Sequence, residues 1–143
     1  MLIGEYQHNI DSKGRLTMPA KFRPDLGERF IITRGLDGCL FGYPMASWEE
    51  TIAKLKQLSS TRNDVRKFTR LFFSAATEVE FDKQGRINLS KAHIESAKID
   101  KECRVIGVSD HIEIWSSDQW DAYASSASDH FDEIAESLFD FGL

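Results

Sequence analysis

Residues 10–16 read IDSKGRL, and residues 81–87 read FDKQGRI, the same phrase written again 71 positions later. Asp11, Gly14, Arg15 and Leu16 fall on Asp82, Gly85, Arg86 and Ile87. Working outward, one inserted residue changes the offset to 72, and Gly35 then meets Gly107, Leu40 meets Ile112, Tyr43 meets Trp115 and Trp48 meets Trp120. Self-similarity of this kind has to be read before any single residue. It divides the chain into two related units, 5–48 and 76–120, with a helical insert over 49–75 and a tail over 121–143.

Each unit has the same expected course. A strand (Tyr6–Ile10; Thr77–Phe81) enters the charged Gly-containing turn, and a short strand leaves it (Arg15–Met18; Arg86–Leu89). A brief helix follows. Pro19 suits its first turn in the first unit, Ser90 suits its N-cap in the second, and Gly27 stops the first copy. A hairpin ends each unit, Phe30–Arg34 with Leu40–Tyr43 and Arg104–Val108 with Ile112–Trp115, turning at LDG and SDH. In the insert, Ser47 is placed to cap a helix through Leu58 with Trp48, Ile52, Leu55 and Leu58 on one face. A second insert helix over 64–73 puts Val65, Phe68, Leu71 and Phe72 on one side and Arg62, Arg66 and Arg70 on another. That arginine row reads either as a solvated face or as a contact surface. From Asp118 a last helical pattern places Trp120, Tyr123, Phe131, Ile134 and Leu138 at spacings of three and four, weakened at Ser125–Ser128. It forms either an arm docking on a neighbour or a helix packed on its own domain.

With 143 residues, two full domains would each be too small to bury much core, so two half-domains sharing one core fit better. The fold class is therefore α+β. A composition 41% hydrophobic and 29% charged is that of a folded globular chain, not a disordered one. Cys39 and Cys103 stand alone, without a CxxC pair or a histidine at metal-ligand spacing, which implies a reduced compartment and no metal or other cofactor. MLIGEYQHNID lacks a basic n-region, and no run of 18 apolar residues occurs, so neither export nor membrane insertion is expected.

Net charge is −5, but residues 118–143 hold seven acids and no Lys or Arg. The preceding residues carry 18 basic and 16 acidic side chains, a mildly basic body beneath an acidic tail.

D-x-x-G-R between short strands is ordinary turn chemistry. Asp accepts backbone N–H groups, Gly takes positive φ, and Arg pairs locally with Asp. A fold that repeats its turn glycine, however, has no need to repeat Arg at the same register beside Lys13 in one loop and Lys83 in the other. The planar guanidinium fork fits phosphate oxygens or the O6 and N7 atoms of guanine, while lysine supplies a point charge to phosphate. Two such loops about a pseudo-two-fold axis would offer DNA one face with two probes. A catalytic reading would make Asp11 and Asp82 a carboxylate pair, but a carboxyl beside basic groups in a polar turn has a lowered pKa and is a poor proton donor. His8, His93, His111 and His130 form no metal-spaced cluster, and neither GxSxG nor GxxxxGK occurs. No enzyme activity and no small-molecule substrate are expected.

The pattern D-x-K-G-R-L-x-x-P in unit one, with D-x-x-G-R-I-x-L in unit two, resembles the SpoVT/AbrB class of swapped-hairpin DNA-binding domains. Two tandem copies, with GEYQHNIDSKGRLTMPAKFR and TRGLDGCLFGYP, resemble the bacterial MraZ family over nearly the whole chain. The resemblance implies two swapped-hairpin units forming a small pseudo-two-fold β-barrel. It also implies a cytoplasmic, nucleoid-associated transcriptional regulator of the division and cell-wall gene cluster, its own promoter included. Such a regulator would read short direct repeats in double-stranded promoter DNA as a homo-oligomer, a ring.

Carried onto this chain, the family motif makes Arg15 and Arg86 the primary DNA contacts, with Lys13 beside the first and Lys83 beside the second, one position earlier than the motif lysine because Gln84 holds that place. Asp11, Gly14, Asp82 and Gly85 organise the loops. Ser90 replaces the proline of unit one, Pro19. Lys21 and Arg23 are secondary phosphate candidates, equally readable as surface charge. The alternative to DNA binding is an antitoxin-like module that holds a protein partner through the acidic tail or the Phe72–Phe73 region.

Overall fold

The computed structural model describes residues 1–142. In the first half, β1 (Leu2–Asn9), β2 (Arg15–Thr17), α1 (Arg23–Leu26), β3 (Arg29–Arg34) and β4 (Leu40–Pro44) lead into α2 (Met45–Lys56) and α3 (Asn63–Ser74). The second half repeats the order as β5 (Thr77–Glu80), β6 (Arg86–Asn88), α4 (Lys91–Ser96), β7 (Glu102–Ser109) and β8 (Ile112–Ser116). It ends in α5 (Ser117–Ser128), α6 (Phe131–Ser137) and a 3-10 turn at Phe139–Phe141.

Six strands form one antiparallel sheet in the order β1-β7-β8-β4-β3-β5, and β2 pairs with β6 in a second. Exchanging β1 with β5, β3 with β7 and β4 with β8 turns the six-strand order into its own reverse, so the connectivity has two-fold pseudosymmetry. Strand β1 pairs with β7 of the other half, and β5 pairs with β3 of the first. At the centre Phe41 faces Glu113 across β4 and β8, and Leu16 faces Ile87 across β2 and β6. The ladder runs from β1 to β5 without closing, so by hydrogen bonding the expected barrel is two sheets over one core.

That core belongs to both halves. Leu16, Met18, Phe22, Phe30, Ile32 and Leu40 pack with Val79, Ile87, Leu89, Val105, Ile112 and Ile114 in a single cluster. Burying one such aliphatic side chain stabilises by roughly 1.5–3 kcal/mol. Two satellite clusters cover the sheet's other face: Ile31, Tyr43, Trp48 and Phe72 beneath α2 and α3, and Cys39, Ile106 and Trp115 beside α5. Alternation along β3 serves both faces, with Phe30 and Ile32 in the main core and Ile31 in the satellite. The repeat equivalence of Tyr43 with Trp115 and Trp48 with Trp120 is visible here, since Tyr43 meets Trp48 at 5.6 Å and Trp115 meets Trp120 at 5.3 Å.

Several boundaries differ from expectation for local reasons. Pro19 heads a turn, its carbonyl accepting from Phe22 N–H, and the proline within the first turn of α1 is Pro24. Gly27, at φ 81°, ends α1 as expected, and the Ser90 hydroxyl accepts from His93 N–H as an N-cap. Ser47 does not cap α2; the helix starts at Met45 behind Pro44, and the Ser47 carbonyl accepts from the Thr51 hydroxyl. Leu58 lies beyond that helix and is exposed. Hairpin register pairs Gly35 N–H with Cys39 O and Val108 N–H with His111 O, so the counterpart of Gly35 is Val108, not Gly107. Asp37 and Gly38 both take positive φ at the first hairpin's turn, whereas Ser109 does so at the second, and this difference in turn length shifts the register. Phe72 is 4% exposed, stacked between Trp48 and Phe68, so of the proposed Phe72–Phe73 contact only Phe73 reaches the surface.

In the arginine row, Arg62 pairs with Asp64, and Arg66 donates from Nη1 to the carbonyls of Ser60 and Thr61, pinning the loop before α3. The C-terminal pattern is two helices, with the break directly after the Ser125–Ser128 run that α5 still includes. Trp120 seats α5 on the sheet, and Arg104 donates from Nη1 to both Glu5 and Asp121 at 3.0 Å, tying α5 to β1 and β7. Beyond it Phe131, Ile134, Leu138, Phe139 and Phe141 are exposed. Residue 143 of the expected tail lies outside the described residues.

Candidate nucleic-acid interface

Both copies of the phrase fold into the same closed loop. In the first, Asp11 Oδ1 accepts from the backbone N–H of Lys13 at 3.0 Å and of Arg15 at 2.9 Å. Its Oδ2 accepts from Arg15 Nε at 2.7 Å. Asp11 N–H donates to Arg15 O, and Gly14 N–H donates to Asp11 O. In the second, Asp82 Oδ1 accepts from Gln84 and Arg86 N–H at 2.8 and 2.9 Å, and Oδ2 from Arg86 Nε at 2.8 Å. Gly14 at φ 81° and Gly85 at φ 74° make the reversal in the left-handed region that L side chains resist.

These contacts set the electrostatics of each loop. The backbone N–H of Arg15, above all, holds the Asp11 carboxyl below its usual range, and the Arg86 N–H does the same for Asp82. Each carboxylate is thus kept ionised with its oxygens occupied by its own loop. The local Asp–Arg pair foreseen as ordinary turn chemistry is present, but it uses only Nε of each arginine. Among the described residues, no hydrogen-bond partner engages the terminal nitrogens of Arg15 or Arg86.

The β2–β6 ladder brings the two loops together. Arg15 stands opposite Asn88 and Thr17 opposite Arg86, flanking the buried Leu16–Ile87 pair. Because side chains alternate along a strand, Arg15 and Arg86 project from the face opposite the core, as diagonal neighbours roughly 7–8 Å apart. Lys13, Lys83 and Lys21 are exposed, and no ion pair engages them among the described residues. An open groove of about 870 Å³ runs beside the second loop, lined by residues that include Arg23, Arg29, Asp82, Lys83 and Gly85.

Arg23 is placed otherwise than a surface charge. It is half-buried, its Nε donates to Met18 O at 3.3 Å, and its guanidinium lies against Gly85, where a Cβ would overlap it. Asn88, which the sequence analysis passed over, supports the other loop. With its amide nitrogen turned to that loop it donates to Lys13 O at 3.1 Å and Gly14 O at 3.3 Å. Main-chain contacts cross in the same way, from Leu89 N–H to Gly14 O and from Met18 N–H to Gly85 O. The charge of Arg23 marks it in the sequence as a phosphate candidate but not as a support for Gly85, and the only signal for Asn88 is its place directly after the repeated phrase.

Among the described residues no group of three or more His, Cys, Asp or Glu side chains could hold a metal ion, and no helix is long and apolar enough to cross a membrane.

Comparison with known proteins agrees with the internal repeat. The family described as "MraZ protein, putative antitoxin-like" matches twice, over residues 1–71 and 72–142. Proteins named Transcriptional regulator MraZ from Lactobacillus gasseri and Lactobacillus johnsonii are each 52% identical over 143 residues, and one of that name from Ligilactobacillus salivarius is 54% identical over 143 residues. All three alignments span 100% of both chains. A doubled family match along the whole chain, on the repeat that builds the two loops, means that the chain belongs to the MraZ family.

Proposed function

We propose that this protein is a sequence-specific DNA-binding transcriptional regulator whose reading face is the outer surface of the β2–β6 ladder. The observation that carries the proposal is the placement of Arg15 and Arg86 on that one face, each oriented by its own Asp through Nε while its terminal nitrogens stay without a partner. A guanidinium fixed at one edge and open at the other is set for bidentate contact with guanine or phosphate. Lys13, Lys83 and Lys21 supply phosphate charge around it, and Asp11, Gly14, Asp82 and Gly85 organise the loops. The relatives' name, Transcriptional regulator MraZ, supports the same function. Pairing of β1 with β7 and of β5 with β3 supports a swapped-hairpin arrangement of SpoVT/AbrB type, in which neither unit completes its sheet alone.

One chain presents two loops and neutralises few phosphates, for which a dissociation constant of roughly 10⁻⁴ to 10⁻⁶ M is ordinary. We therefore read the active species as a homo-oligomer, a ring, engaging short direct repeats of promoter DNA, since linking sites raises avidity by about 10² to 10⁴. The target is the division and cell-wall gene cluster with its own promoter, in the cytoplasm at the nucleoid. With both loop carboxylates ionised and occupied, no acid–base pair stands ready, which supports a non-catalytic role.

The exposed apolar arm of Phe131, Ile134, Leu138, Phe139 and Phe141 favours a second reading, an antitoxin-like module whose acidic tail holds a protein partner. Titration against duplex DNA selected from a random-sequence pool separates the two. The regulator binds with a log–log salt slope of about −0.9 per phosphate neutralised, and it loses binding on Arg15→Ala with Arg86→Ala. Binding that ignores salt and survives both substitutions overturns the proposal.

A further inference from the structure

We infer that each arginine loop is held in its reading geometry by the other repeat: Arg23 of the first unit is the positioning residue for the Arg86 loop, and Asn88 of the second unit for the Arg15 loop. The inference rests on the DNA-reading role proposed above and adds the residues that set it.

The two loops have identical internal bonding but different supports. Behind Gly85 lies the Arg23 guanidinium; behind Gly14, in the corresponding place, lies Ile94, with the Leu89 carbonyl and the Asn88 side chain beside it. Thr17, the strand counterpart of Asn88, makes no side-chain hydrogen bond to the second loop, whereas Asn88 reaches two carbonyls of the first. Besides its main-chain bond from the other unit, each loop thus has one polar side-chain brace, and in both cases it crosses the pseudo-two-fold. The Arg23 brace is anchored at its other edge, since Nε donates to Met18 O while Met18 N–H donates to Gly85 O. This closes a small circuit between the residue, the strand end and the loop. A guanidinium packed against Gly85 fixes where the following residue, Arg86, enters β6.

A positioning role and a phosphate contact differ in what they do to salt dependence. Each phosphate contact contributes about 0.9 to the log–log slope, whereas a residue that only shapes the loop contributes none. Arg23 also gives the second loop a cation beneath it, where the first has an aliphatic side chain. The loops therefore differ in support as well as in sequence, where Gln84 stands in place of the first loop's Lys13.

The test uses the full chain, duplex DNA selected by the wild-type protein, and backbone amide exchange measured without DNA. Arg23→Gln is expected to speed exchange at Gln84, Gly85 and Arg86 while leaving Lys13, Gly14 and Arg15 unchanged. It should weaken DNA binding about tenfold, the scale of one charge-assisted hydrogen bond, with the salt slope unchanged. Asn88→Ala is expected to do the reverse, loosening the first loop and sparing the second. Arg23→Gln should couple with Arg86→Ala in a double-mutant cycle and add independently to Arg15→Ala. A slope shallower by about 0.9 with unchanged amide exchange would make Arg23 a phosphate contact and overturn the inference. So would exchange that quickens equally in both loops and the core strands, which is global destabilisation. Should wild type bind no DNA, the regulator reading falls, while the exchange pattern still decides whether the braces exist.

Discussion

Leu16 and Ile87 stand opposite each other at the centre of the β2–β6 ladder, 0% and 1% exposed, where the two halves of the chain meet about their pseudo-two-fold. Each side chain fills space made by the other half, so neither can be shortened without leaving a void beneath both arginine loops. Leu16→Ala is expected to cost about 2–5 kcal/mol in urea unfolding. With Ile87→Ala, the double mutant should depart from additivity by roughly 0.5–3 kcal/mol, because the residues are in contact. Strict additivity would mean that they do not share one packing site.

Strand exchange predicts that the halves do not fold separately. Residues 1–71 retain β1 without its partner β7, and residues 72–142 retain β5 without β3. Each half also exposes its side of the shared cluster. Either fragment alone should give the narrow amide dispersion of an unfolded chain, and an equimolar mixture should recover native dispersion. A fragment that is folded by itself would contradict the single core.

The loop glycines are expected to differ in tolerance. At Gly14 an added Cβ stands 2.8 Å from the Leu89 carbonyl oxygen, main chain that cannot yield, and the residue is at φ 81°. At Gly85 the overlap is with the Arg23 side chain, which can swing away. Both substitutions carry the left-handed cost of about 1–3 kcal/mol, and Gly14→Ala should exceed Gly85→Ala. Thermal unfolding of the two variants reads the difference.

The repeat made the strands and the two loops legible, because turn chemistry and strand alternation are local. Asp11 and Asp82 accept from the backbone N–H and Nε of Arg15 and Arg86, and each has the lowered pKa of a carboxylate fed by N–H donors. What stayed hidden depended on chain reversal. Nothing in the order of residues says that Asn88 sits under Lys13 or that Arg23 turns inward under Gly85, since both follow from β2 pairing with β6. Helix starts differ from expectation where a proline a few residues away heads the helix instead, Pro24 five residues after Pro19 and Pro44 three residues before Ser47. Gly35 does not correspond to Gly107 because the two hairpins differ in turn length, with Arg34 paired to Leu40 but Gly107 paired to Ile112, and identity at one glycine carries no information on that pairing.

Both cysteines should be silent as nucleophiles. Burial raises the Cys39 thiol to about 12, with the charges of Glu113 and Asp37 adding to it, and burial alone raises Cys103 to about 11. Since the thiolate is the reactive form, neither should be alkylated by iodoacetamide at pH 8 in the folded protein, and both should react in urea. A folded-state pKa above the unfolded value of 9.0 contributes stability that is whole below 9.0 and is lost as pH rises toward the folded values. Alkaline unfolding should therefore begin above that point, and Cys39→Ala with Cys103→Ala should blunt it.

The loop carboxylates work in the opposite direction. Asp11 and Asp82 have pKa values below the ordinary 3.8, chiefly because backbone N–H groups of Arg15 and Arg86 favour the charged form. A depressed folded-state value gives stability that is complete above 3.8 and is lost as pH falls through the folded pKa. Both loops should keep their amide protection at Lys13, Arg15, Gln84 and Arg86 down to the ordinary carboxylate value and release it below. Carboxyl-carbon shifts in a ¹³C-labelled sample would follow both groups directly, and midpoints above 3.8 would contradict the hydrogen bonding described. Asp11→Asn removes the charge that holds Arg15 Nε while keeping one acceptor oxygen for the backbone. Its first loop should then show no acid-dependent opening, while the second loop titrates as before, since Asp82 draws its bonds from its own loop.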